Sequence, residues 1–144
     1  MENAIDKPII DFIGKHHVLT IATSNENNPW CASCFYAWIK EKNAFVYTTD
    51  HDTRHGLEAL KNRNVAANIV LETRIVMKIQ GLQISGITFP VDKTYEEIAK
   101  TTYLKRFPYA RLADLNLWIL EPQHLKLTDN KLGFGEKIIW QKNC

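Results

Sequence analysis

The sequence has no apolar run near the roughly 18 uninterrupted residues that cross a bilayer, and no excess of either charge. Eighteen Lys and Arg stand against 16 Asp and Glu, a formal net charge of +2. A protein that coats nucleic acid or an anionic membrane carries a larger surplus, so neither partner is expected. Cysteine is scarce, with three in the chain. An odd count without an export signal points to a reducing compartment rather than a disulfide scaffold. The opening Met1-Glu2-Asn3-Ala4-Ile5-Asp6-Lys7-Pro8 is too acidic and too broken for a signal peptide, so the expected location is cytoplasmic. Repeats, low-complexity tracts and linkers are also lacking. The 144 residues are therefore expected to form one domain, 1–144.

What is present is β-rich. Apolar residues from Ala4 to Lys15 fit one face of a short helix, with Pro8 near its start. Val18 to Thr23 reads as a strand, Ser24 to Pro29 as turn chemistry, and Trp30 to Ile39 and Ala44 to Thr49 as two more strands of an antiparallel meander. Asp52 or Thr53 caps a helix that should carry Leu57 and Leu60 toward the core. Strands follow at Val65 to Leu71 and Val76 to Phe89, the second bent at Gly81 and Gly86. A helix capped by Asp92 or Thr94 runs to about Arg106, and a last strand spans Leu115 to Thr128 with a break at Pro122. Between Trp30 and Trp38 both parity sets are bulky, so this strand should be covered on both faces. The expected fold is mostly β, a split or half-closed barrel of about six antiparallel strands with three short helices.

Four motifs bear on chemistry. Cys31-Ala32-Ser33-Cys34 has redox or zinc spacing, but residues three apart on a strand point to opposite faces, which favours packed cysteines. His51 and His55 could clip a metal across a helical turn, yet no third ligand lies nearby in sequence, so no metal is expected. Lys105, Arg106 and Arg111 alternate with Tyr103, Phe107 and Tyr109, as in single-strand binders. With so little net charge, the aromatics are better read as an inner helix face and the charges as a solvated one. The fourth motif, Tyr47-Thr48-Thr49-Asp50-His51-Asp52-Thr53-Arg54-His55, delivers hydroxyls from a strand to a helix that opens on Thr-Arg-His. Unpaired N–H donors of a first helical turn attract phosphate, and a guanidinium there adds a bidentate grip. A plain capped helix with a surface arginine is the alternative.

The order of elements around this motif resembles the pyridoxamine 5'-phosphate oxidase-like superfamily of FMN-binding split barrels. Trp30-Cys31-Ala32, Phe35-Tyr36, Thr53-Arg54-His55, Arg106-Phe107-Pro108, Thr128-Asp129-Asn130, Leu132-Gly133-Phe134-Gly135 and Ile139-Trp140 are similar to the bacterial YhbP-like family within it. The resemblance implies FMN at a homodimer interface. Backbone groups of Ser33 and Cys34 would face the flavin ring, and Tyr47, Thr48 and Thr49 the ribityl chain and phosphate. Thr53, Arg54 and His55 fall where the superfamily grips phosphate, with His55 in place of its lysine. Lys78 and Lys137 are candidate donors near the ring and Trp140 a candidate stacking wall. The superfamily's oxidases of pyridoxamine phosphate carry a C-terminal Arg-x-His, and this chain has no Arg after Arg111, so that activity is not implied. The expectation is an FMN-binding oxidoreductase of unknown substrate, or alternatively a non-catalytic flavin or haem carrier. Four tryptophans exceed what a small barrel readily encloses, which also favours a dimer.

Overall fold

Six antiparallel strands close on themselves in the computed structural model, which describes residues 3–143. They are β1 (Val18–Asn25), β2 (Asn28–Ile39), β3 (Ala44–Thr48), β4 (Asn64–Val70), β5 (Gln80–Pro90) and β6 (Leu117–Asp129). The order β3-β2-β1-β4-β5-β6 is joined into a ring by β3–β6 pairing, and β7 (Lys137–Gln141) adds to the outer edge of β6. Three helices, α1 (Lys7–Lys15), α2 (Arg54–Lys61) and α3 (Glu96–Arg106), complete the expected split barrel.

Local chemistry explains the joints. Glu26 and Asn27 both have positive φ, as a two-residue hairpin turn requires, so Pro29 lies within β2 and not in the turn. The register slips between Ser85 and Gly86, where β5 crosses Pro122 of β6. A Cβ at Gly86 would stand 2.3 Å from the Glu121 carbonyl oxygen, so the bulge needs glycine. Gly81 is in regular register. Residues 76–78, expected as strand, form a 3-10 turn ahead of β5.

Leu19, Ile21, Tyr36, Phe45, Tyr47, Ile69, Leu82, Trp118, Leu120 and Leu125 fill the barrel, and Ile9, Phe12 and Ile13 of α1 pack into the same cluster. A second cluster, with Ala37, Ile39, Val46 and Ile119, lies under Ala99 and Tyr103 of α3. The double coverage expected of β2 is thus supplied over its second half by α3. The first half has only its inner side covered, and Cys31, Ser33 and Phe35 are exposed on the outside.

Two burial expectations are corrected. Leu57 and Leu60 are 50% and 53% exposed, and α2 turns Gly56, Glu58 and Ala59 inward instead. A Cβ at Gly56 would lie 2.6 Å from the Asp50 carbonyl, so glycine is what lets the first turn of α2 fold back on the loop that leads into it. Arg106 is not a solvated charge. It donates to the backbone carbonyls of Gly14 and His16 and lies over the Tyr36 ring, 5.3 Å from its centroid. Tyr109, expected inside, is exposed.

Candidate functional site

Strand pairing leaves one edge open inside the ring. Strand β2 pairs with β1 from Asn28 to Phe35, but with β3 only from Tyr36 to Ile39. The Tyr36 N–H donates to the His17 carbonyl, so by alternation the backbones of Cys34 and Ala32 turn to β1. Those of Ser33 and Cys31 turn the other way, toward the space that β3 vacates after Thr48. Donors and acceptors aimed at an unfilled position are a binding feature of backbone origin.

Helix α2 opens at that gap. Thr53 is its cap: Oγ1 accepts from the Gly56 N–H at 3.1 Å and donates to the Asp50 carbonyl at 2.8 Å. The N–H groups of Arg54 and His55 belong to the first turn, which has no intrahelical acceptors for them. The side chain of Thr49 meets Nε2 of His55, whose second hydroxyl neighbour is Thr53 Oγ1 at 3.5 Å. Burial holds the His55 pKa below its ordinary value, opposed by the charges of Asp50 and Glu58. Thr48 Oγ1 lies 3.2 Å from the Tyr103 hydroxyl, which ties the gap to α3. The Arg54 guanidinium sits over the Trp30 ring, 4.2 Å from its centroid, and Nε donates to Glu58 at 3.2 Å. Thr23 donates to the same carboxylate oxygen at 3.4 Å.

Thr49, Thr53 and His55 therefore meet in a cradle at the start of α2, with Arg54 next in the same turn, Thr48 one residue before Thr49 and Ser33 on the open edge of β2. The remaining sequence-derived candidates stand elsewhere in the chain. Tyr47 is buried in the barrel with its hydroxyl 2.5 Å from Thr88 Oγ1, and that oxygen donates to the Ile119 carbonyl at 2.7 Å. Cys34 points inward, where burial pushes its thiol up to about 11, while Cys31 is exposed on the outside. Trp140 faces the core and donates from Nε1 to the Asn3 carbonyl at 3.1 Å. Lys78 and Lys137 are exposed at the far end of the sheet. His51 lies with its ring centroid 5.6 Å from that of Trp118, apart from the Thr49–His55 contact. Sequence reasoning missed Glu58, Trp30 and Tyr103. The Arg54–Glu58 spacing of four was a legible helical pair, whereas the other two contacts depend on strand register and helix placement.

No family model matches the chain. The solved structures it resembles share the fold at low sequence identity. A haem-binding protein from Mycobacterium smegmatis superposes with TM-score 0.76 at 16% identity, over 96% of this chain and 60% of that one. A FAD-binding protein from Mesorhizobium loti gives 0.69 at 6% identity, over 88% and 96%. HutZ, a haem storage protein from Vibrio cholerae, gives 0.65 at 16%, over 97% and 96%. The class is thus the split barrel, a fold whose members here include a haem-binding, a FAD-binding and a haem storage protein. Within it the chain belongs to the UPF0306 family. The UPF0306 protein of Photorhabdus laumondii is 35% identical over 131 residues, 91% of this chain and 92% of that one. The relative from Cronobacter sakazakii is 37% identical over 132 residues, 92% of both.

Proposed function

We propose that this chain is an FMN-binding flavoprotein of the oxidoreductase type, acting as a two-fold homodimer with the cofactor held between subunits. The observation that carries the proposal is the meeting of a free β2 edge with the start of α2. Ser33 and Cys31 present backbone groups suited to the polar edge of an isoalloxazine ring. The N–H groups of Arg54 and His55, the Thr49 and Thr53 hydroxyls and the Arg54 guanidinium present phosphate donors beside it. FMN has both parts, a planar ring with hydrogen-bonding edges and a phosphate on a ribityl chain. When bound, it would supply electron or hydride transfer, and the protein binding, orientation and exclusion of water.

The outer face of the sheet carries apolar side chains among polar ones such as Ser33, Asn68 and Gln83. Val18, Phe35, Val70 and Ile139 are all exposed there. A second copy packed on this face closes the cradle and covers those residues. The tryptophans are a weaker argument for a dimer than the sequence implied, because the barrel encloses Trp118 and Trp140.

A carrier without turnover, for flavin or for haem, is the second reading, favoured by the haem-binding neighbours of the same fold. The dialysed protein titrated with FMN and, separately, with haemin separates the ligands by absorbance. Reduction of bound flavin by NAD(P)H and reoxidation by an acceptor separates enzyme from carrier. Saturable FMN binding with flavin bleaching supports the proposal, and binding of haemin alone overturns it.

A further inference from the structure

A cavity of about 580 Å³ opens at the last turn of α2, between that helix and the segment that joins β5 to α3. Its size is that of a small-molecule site. The floor is apolar. Ala59 and Tyr95 are buried there, and the Phe89 ring lies beside that of Tyr95 with centroids 5.9 Å apart. Leu60, which α2 leaves exposed, adds an apolar wall.

Charges of both signs stand around this floor. Asn64 of β4 and Glu121 of β6 both pair with Ile87 of β5, one from each side, so their backbones are two strand spacings apart, about 10 Å. Arg63 precedes Asn64, and its carbonyl accepts the Thr88 N–H at 2.9 Å, which anchors it to β5. Its guanidinium lies over the Phe89 ring, 5.6 Å from the centroid. Among the described residues it forms no ion pair, although Asp92 and Glu121 line the same cavity. Asp92 Oδ1 accepts the Thr94 N–H at 3.0 Å, and Glu121 makes a long contact of 3.9 Å with Lys142 Nζ. One cation and two acids thus face one space without pairing across it.

We infer that this cavity binds a free α-amino acid with a bulky apolar side chain. The carboxylate meets Arg63, the ammonium meets Asp92 and Glu121, and the side chain lies on Phe89 and Tyr95. The cation–π contact with Phe89 uses none of the guanidinium N–H groups, so a bidentate bond to the carboxylate is available. The signs of the rim select the class. An inorganic anion satisfies Arg63 but faces two carboxylates, and a simple amine satisfies the acids but faces the guanidinium. A zwitterion meets neither penalty, and its side chain covers the apolar floor. The cavity is at the opposite end of α2 from the cradle, so the inference does not depend on the flavin.

Calorimetric titration of the wild type with L-leucine and L-phenylalanine tests this directly, and saturable binding of at least one is expected. Phenylalaninamide lacks the carboxylate and N-acetylphenylalanine lacks the ammonium. Each should bind at least about tenfold more weakly than phenylalanine, the loss of a charge-assisted hydrogen bond. Arg63→Gln should abolish the preference for phenylalanine over its amide. Asp92→Asn combined with Glu121→Gln should abolish the preference over the N-acetyl derivative. Thermal unfolding shows that the variants are folded, and the derivative series needs only the wild type, so it decides the question even where a variant does not fold. Absence of saturable binding up to on the order of 10 mM overturns the inference, as does equal affinity for phenylalanine and both derivatives. Preferences that survive in the variants also overturn it. Inorganic phosphate bound as tightly as the amino acid would make this a simple anion site, and displacement of the amino acid by FMN would place it in the cradle; either result removes the inference.

Discussion

Nε of Arg54 lies 3.2 Å from Oε1 of Glu58, and the carboxylate that receives it is buried. The bond occupies one side of the guanidinium and the Trp30 ring supports its face, so the terminal amino groups are those left to grip an anion. The pair also neutralises part of the Arg54 charge.

Arg54→Ala should weaken FMN binding by about 10- to 150-fold, the loss of a charge-assisted bond worth roughly 1.5–3 kcal/mol. Riboflavin has the ring without the phosphate and should bind both proteins alike. Fluorescence quenching of both flavins by both proteins gives the four affinities. Equal losses for FMN and riboflavin would mean damage to the fold or ring pocket, and the phosphate assignment would fail.

Much of this arrangement was legible in the sequence, and the physical reasons for the rest are specific. The Thr53 cap and the opposite facing of Cys31 and Cys34 follow from local rules of helix ends and strand parity. The inward face of α2 is not legible because Leu57 and Leu60 are its most apolar residues, whereas Gly56, Glu58 and Ala59 are the ones buried. Arg106 looked solvent-directed because sequence does not show that the carbonyls of Gly14 and His16 end beside it. The strand Lys137–Gln141 is not legible as one, since five residues after a glycine-rich turn carry little alternation. Tyr47 was grouped with Thr48 and Thr49 by adjacency, although alternation sends it to the barrel interior.

The Tyr47 placement has a consequence for mutants. A threonine hydroxyl has one proton, and that of Thr88 goes to the Ile119 carbonyl, so Tyr47 must be the donor to Thr88. Thr88→Val leaves the buried Tyr47 hydroxyl without its acceptor and should cost about 1–3 kcal/mol in denaturant unfolding. Tyr47→Phe leaves the Thr88 bond to Ile119 intact and should cost less. Neither phenol nor ring reaches the cradle, so Tyr47→Phe should leave FMN affinity unchanged. A selective loss of FMN binding in that variant would return Tyr47 to the site.

Thiol chemistry should separate the two cysteines of the Cys31–Cys34 motif. Cys31 is exposed, whereas Cys34 is buried with its thiol raised to about 11, so at neutral pH little thiolate forms at Cys34. In the Cys144→Ser protein, a disulfide reagent should modify one thiol in the native state and two after denaturation. Cys31→Ser on that background should reduce the native count to zero. Rapid modification of Cys34 in the folded protein would contradict its placement in the barrel.

The pH dependence of the chain follows from His16 and His55, both held below their ordinary pKa mainly by burial. His16 is also disfavoured as a cation by His17, Lys15 and Arg106. For such a group the unfolded chain binds the proton more readily than the folded one. Its contribution to stability is therefore present above the ordinary histidine value of 6.5 and is lost as pH falls through 6.5 toward the folded pKa. Stability measured by urea unfolding should accordingly rise from pH 5 to pH 7, and His55→Gln should flatten part of that rise. FMN should act in the opposite sense at the same residue. A phosphate beside His55 favours the imidazolium, so binding takes up a proton and affinity falls as pH increases through the neutral range. Calorimetric titrations in two buffers of different ionisation enthalpy measure that uptake directly. His55→Lys, which stays charged, should bind FMN at pH 8 more tightly than wild type and with no proton uptake from this position. Identical pH profiles for wild type and His55→Lys would show that His55 does not face the phosphate, whatever Arg54 does.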